Sequence, residues 1–150
     1  MQQRRTGIKN VDLIEDIFRR ERELADAVLE SKIGTQGHTG GAPSGHSYIS
    51  DPTAIAAIRR AVELNTVTLK DGTRIFKPEK WLEVIHAVKD WCAKDTLKDE
   101  VYKRRYLRRE SYVATCSDIH IVQQTYSLLL WDIRNFALQC AAQAQLIRVY

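Results

Sequence analysis

Gln123, Gln124, Thr125 and Ser127 crowd into five positions at the start of a long apolar-periodic stretch. Glutamine can pair with both edge atoms of adenine in a major groove, and serine and threonine can reach a base or a phosphate. Some fifteen residues earlier comes the densest basic run of the chain, Lys103, Arg104, Arg105, Arg108 and Arg109, with Arg134 downstream. Cations at that density can neutralise phosphates and release condensed counterions. The chemistry within reach is therefore recognition of a nucleic-acid duplex. Gln123, Gln124, Ser127 and Thr125 are the candidate base contacts. Lys103, Arg104, Arg105, Arg108, Arg109 and Arg134 are the candidate phosphate contacts. The competing reading of such a run is a solvated helix face.

Catalytic chemistry has less to stand on. His38 and His46 sit near one another in a Gly-rich stretch without an acidic or cysteine companion, and His86 falls inside a helical pattern. Asp51 near His46 and Asp118 near His120 are loop juxtapositions rather than an acid-base pair. Cys92, Cys116 and Cys140 are odd in number and far apart, which gives neither a zinc spacing nor a disulfide framework. The glycines of residues 34–47 have no Gly-Lys-Ser/Thr behind them and no apolar strand before them, so they do not form a phosphate loop. No enzyme, cofactor or metal is expected.

The elements that must hold these residues can be read in outline. The chain has 150 residues and a net charge of +4, with a pI near 9.0. That permits nucleic-acid contact without demanding it. No apolar run approaches the roughly 18 residues that span a membrane, and residues 1–10 lack the apolar core of a secretory signal. A cytoplasmic location, bacterial host cytoplasm included, is the expectation. Asn10 is placed to cap a helix running to about residue 30. Its apolar face is Val11, Ile14, Phe18, Ala25, Val28 and Leu29, widened by Leu13, Ile17 and Leu24. Its charged face, Glu15 to Glu23, is expected in solvent. Residues 34–50 read as a flexible linker. Asp51-Pro52 signals a second helix, and residues 66–76 alternate around Asp71-Gly72 as a β-hairpin.

Pro78 opens a third helix with Trp81, Leu82, Val84, Ile85, Val88, Trp91 and Cys92 as its apolar residues. Thr96 or Asp95 caps a fourth, about 97–109. Residues 111–117 form a short helix, Ile119-His120-Ile121 a turn with both isoleucines inward, and residues 123 to about 145 a long helix. The inward face of that last helix is expected to include Tyr126, Leu129, Ile133, Phe136, Ala137 and Cys140. The prediction is a mainly α fold with a short β-hairpin and a C-terminal helix-turn-helix. It divides into a helical arm (1–33), a Gly-rich linker (34–50), a helical region with the hairpin (51–94) and a DNA-binding region (95–150).

Residues 98–147 resemble phage late-transcription regulators of the RinA and ArpU kind, which end in a helix-turn-helix similar to the promoter-reading part of sigma factors. The likeness rests on Tyr106-Leu107, Val113 to Cys116, Asp118 to Ile121, Thr125-Tyr126, Ala137-Leu138, Ala141 to Gln143 and Leu146-Ile147. It implies double-stranded DNA as partner, RNA polymerase as a further candidate partner and activation of late phage or prophage genes. A second copy of the chain is a candidate partner because two-fold dimers are common among such readers. No membrane partner is expected. The family usually has Ser or Thr where Val122 stands, so Asp118 or a backbone turn must cap the long helix here. It also tends to carry Arg where Leu128 and Leu130 stand. The resulting block Leu128 to Trp131 fits a buried helix, a dimer interface or a reader with a reduced basic face. That block also keeps open a different class, an oligomeric phage packaging or interaction protein such as a small terminase-like subunit.

Overall fold

A computed structural model describes residues 2–33, 53 and 62–148, with side chains from residue 9 onward. Among these the chain is mainly helical with one antiparallel hairpin. The elements are α1 (Gln2–Arg19), α2 (Glu21–Ile33), β1 (Thr66–Thr68), β2 (Arg74–Phe76), α3 (Pro78–Cys92), α4 (Thr96–Tyr102), α5 (Tyr112–Asp118) and α6 (Gln123–Gln143); a π-helical turn, Lys103–Leu107, continues α4. The linker of residues 34–50 and most of the helix expected from Asp51-Pro52 lie outside the described residues.

Contacts group the chain into two compact units, Met1–Glu21 with Lys80–Tyr150, and Arg22–Glu79. In the first unit α6 packs against α1, α4 and α5, and the π turn packs against α1 and α5. The first helix is therefore not a separate arm but belongs with the C-terminal helices. It begins at Gln2 rather than at Asn10 and stops at Arg19, where the Arg20 N–H turns back to the Ile17 carbonyl. Asn10 caps nothing; its side chain donates to the Arg148 carbonyl. Ile14, Ile17 and Phe18 are buried as expected, as is the core of α3 at Trp81, Val84, Ile85, Val88 and Cys92. Phe18 lies edge-on to Tyr106 at 5.6 Å and to Tyr102 at 6.2 Å, and the two tyrosine rings are 5.0 Å apart. Each such fully buried large side chain stabilises the fold by roughly 1.5–3 kcal/mol. Tyr102 Oη and Thr115 Oγ1 are buried without a hydrogen-bond partner, a cost accepted for that packing.

No glycine or proline follows Pro78, so the helices of the first unit stop without the usual punctuation. Arg109, His120 and Gln145 take the left-handed conformation instead, with φ of 56°, 54° and 58°. Behind each, an N–H reaches back to close the helix: Glu110 to Arg104, Ile121 to Cys116 and Leu146 to Ala141.

In the second unit the expected hairpin forms, with Val67 opposite Ile75. The Gly72 N–H bonds to the Leu69 carbonyl, and Gly72 at φ 87° supplies the left-handed residue after the turn. Asp71 fixes the corner by accepting the Thr73 N–H. Glu79, in the first turn of α3, pairs with Lys32 and accepts the Leu64 N–H.

Candidate nucleic-acid interface

Ser111 begins the C-terminal helix pair. Its backbone is extended and its Oγ accepts the Ala114 N–H, which sets the start of α5. Ile119 closes α5, His120 turns outward, and Val122 starts α6 with an extended backbone and no side-chain cap. Asp118 does not substitute as the cap. Its carboxylate is 2.8 Å from Arg104 Nη1, which ties α5 to the π turn. Ile119 and Ile121 are half-buried rather than fully inward.

Gln123, Gln124 and Ser127 stand exposed on the first turns of α6, while Thr125 is half-buried. Together with Leu128 and Trp131 the three exposed residues line an open groove of about 720 Å³. Leu128 is 67% and Trp131 63% exposed, but Leu130, within the same apolar block, is buried. The buried stripe of α6 is Tyr126, Leu130, Ile133, Ala137 and Ala141. Leu129, Phe136 and Cys140, expected inward, are only half-buried. The apolar block is thus one core residue among exposed neighbours. Lower on α6, Phe136 stacks on Trp91 at 4.4 Å and 11°, with Lys98 Nζ 4.4 Å from the centre of the indole and 3.5 Å from Asp132.

The basic residues do not act as one face. Arg104 is held by three carboxylates, at 3.0 Å (Glu100), 3.1 Å (Glu110) and 2.8 Å (Asp118). Arg105 donates through Nε and Nη2 to Glu15 Oε2, at 3.1 and 2.9 Å, and through Nη1 to the Tyr126 hydroxyl at 3.2 Å. Arg134 donates through Nε to Glu15 Oε1 at 2.7 Å. Internal pairing engages Arg104 with several carboxylates, Arg105 at every nitrogen and Arg134 through Nε alone. Lys103 is exposed and pairs with Asp99 one turn back, Arg108 is exposed with Glu110 at 3.9 Å, and exposed Arg109 donates to the Arg19 carbonyl at 3.0 Å.

The organising residue is Glu15, which the sequence reading left in solvent. It is 9% exposed. Besides Arg105 and Arg134 it accepts the Tyr106 hydroxyl at 2.6 Å and has Arg19 Nη2 at 3.5 Å. Burial pushes its carboxyl upward, but the bonds from Tyr106, Arg134 and Arg105 outweigh burial and hold it below the usual carboxylate range. Burial, with Glu15 beside it, pushes the Tyr106 hydroxyl up, so Tyr106 stays a proton donor. The wide π turn brings neighbours Arg105 and Tyr106 to the same carboxylate. Burial likewise raises the Cys92 thiol to about 12, and no group of metal-ligating side chains occurs among the described residues. One signal for Glu15 was available: it shares a helix face with Val11 and Phe18, inside the apolar stripe.

Comparison with protein families, with curated proteins and with solved structures finds no match to this chain. None of its described helices is long and apolar enough to cross a membrane.

Proposed function

We propose that the chain is a duplex-DNA-binding transcription regulator that reads bases through the start of α6. The observation that carries this reading is the exposure of Gln123, Gln124 and Ser127 beside a basic segment anchored to that same turn. Arg105 bonds Tyr126, which lies between Gln124 and Ser127 in sequence. Lys103, Arg108 and Arg109 are the exposed cations of the segment, and they take over the phosphate contacts that internal pairing withdraws from Arg104 and Arg105. The resemblance of residues 98–147 to RinA- and ArpU-like regulators supports a phage or prophage origin, late-gene activation and RNA polymerase as a second partner.

The test is fluorescence anisotropy with promoter-region duplexes from the source genome across a salt series. Arg108→Ala lowers the slope of log affinity against log salt by about 0.9, the value for one lost phosphate contact. Gln124→Ala weakens the preferred duplex by about 1–3 kcal/mol and leaves non-specific duplex unchanged. Absence of binding at low salt, or a Gln124→Ala protein with undiminished preference, rejects the reading.

Exposed Leu128 and Trp131 favour a second reading, an oligomeric packaging or interaction protein, since a groove-facing ridge of this kind suits protein better than DNA. Light scattering separates the two: a large ring supports assembly, and a monomer or dimer supports the regulator.

A further inference from the structure

Most ion pairs of the first unit are balanced or over-supplied with carboxylates. Lys103 has Asp99, Lys98 has Asp132, and Arg104 has three acids. The cluster at Glu15 is the reverse. Arg19, Arg105 and Arg134 share one carboxylate, and Tyr106 brings no charge. Among the described residues no second carboxylate lies within ion-pair distance of any of the three, so one negative charge there faces three positive ones. Holding like charges together in a partly desolvated place costs energy unless an anion joins them.

The donors are divided in the same way. Arg105 has all three nitrogens engaged, with two bonds to Glu15 and one to Tyr126. Arg134 spends only Nε, and Arg19 touches Glu15 only at 3.5 Å, through one terminal nitrogen. Their side chains remain 31% and 45% exposed, and each guanidinium group keeps N–H donors that bond no other group among the described residues. Arg109 donates to the Arg19 backbone carbonyl.

The geometry points to an anion seat for a phosphate group, formed by Arg19 of α1 and Arg134 of α6 on the two oxygens of Glu15. Glu15 is the positioning residue: it holds one nitrogen of each guanidinium group and leaves the others to a ligand. A phosphate suits the seat because its several oxygens can accept from guanidinium groups arriving from different helices. The source is a phosphodiester of bound DNA or a free phosphate compound. None of Arg19, Arg134 and Glu15 is among the residues that line the α6 groove, so the seat stands or falls separately from the base-reading proposal.

The experiment titrates the full chain with inorganic pyrophosphate at constant ionic strength, followed by thermal shift, in the native protein, Arg19→Gln, Arg134→Gln and the exposed control Arg22→Gln. The native protein and Arg22→Gln show a saturable rise in Tm. Arg19→Gln needs about tenfold more pyrophosphate for the same rise, the loss of one charge-assisted contact. Arg134→Gln behaves similarly where it folds, and Arg19, being more exposed, keeps the test decisive where it does not. An unshifted native protein, or Arg19→Gln titrating like the native chain, overturns the seat. A labelled duplex distinguishes the source. Displacement of the duplex by pyrophosphate, with a salt slope lower by about 0.9 in Arg19→Gln, identifies a phosphodiester. Pyrophosphate binding without duplex binding identifies a free phosphate ligand, keeps the seat and removes the DNA reading.

Discussion

Replacing Glu15 by glutamine tests the central electrostatic argument. The side chain keeps its shape, but a group with two acceptor oxygens becomes one acceptor and one NH2 donor. Arg105 and Tyr106-Arg134 occupy opposite oxygens, so either orientation of the amide sets its NH2 against donors. The change also removes the carboxylate that, among the described residues, three guanidinium groups share. Breaking a buried ion pair by removing one partner costs about 3–5 kcal/mol, a large part of the roughly 5–15 kcal/mol that holds a domain folded. At about 2–4 °C per kcal/mol for a chain of this size, the fall in Tm is on the order of 10 °C. The assay is urea unfolding followed by tryptophan fluorescence. The internal control is Asp16→Asn, which removes the adjacent, solvent-exposed carboxylate near Arg20 at 3.7 Å and costs less than about 1 kcal/mol. If Glu15→Gln costs no more than Asp16→Asn, Glu15 does not organise α1, the π turn and α6.

The same carboxylate sets an acid dependence. Its folded pKa lies below its ordinary value of 4.5, so its stabilisation is complete above that value and is lost as pH falls through the lower folded one. The difference in unfolding free energy between native protein and Glu15→Gln should hold from pH 7 to 5 and shrink in more acid solution; a constant difference down to pH 2 contradicts the assignment. Ile133→Ala, at a position fully buried in α6, should cost about 2–5 kcal/mol in urea unfolding. Little change there would mean that α6 is not packed as described. His120→Gly relieves a left-handed residue at the end of α5 and should raise stability by about 0.5–1 kcal/mol; a loss of stability would show that the His120 side chain makes a contribution of its own.

The amino-acid sequence by itself determined the local grammar. Asp71-Gly72 between alternating residues gave the hairpin, Pro78 the start of α3, Asp95 and Ser111 the caps of α4 and α5, and the apolar spacing the mainly helical class. Such signals are carried by a few neighbouring residues and need no partner. The ends of the helices after Pro78 were less legible, because Arg109, His120 and Gln145 occupy left-handed positions where glycine is the usual signal. The exposure of Gln123, Gln124 and Ser127 followed from helical period alone. The division of the basic run did not. In one dimension Arg104, Arg105 and Arg108 are equivalent cations, and Glu15 is one acid in a mixed-charge helix about ninety residues away. Only the packing of α1 against α6 and the π turn brings that carboxylate to Arg105 and Arg134, turns two cations inward and leaves others to solvent. Charge is a property of the residue, but what it pairs with is a property of the fold, because Coulomb attraction acts through distance and burial rather than through order along the chain.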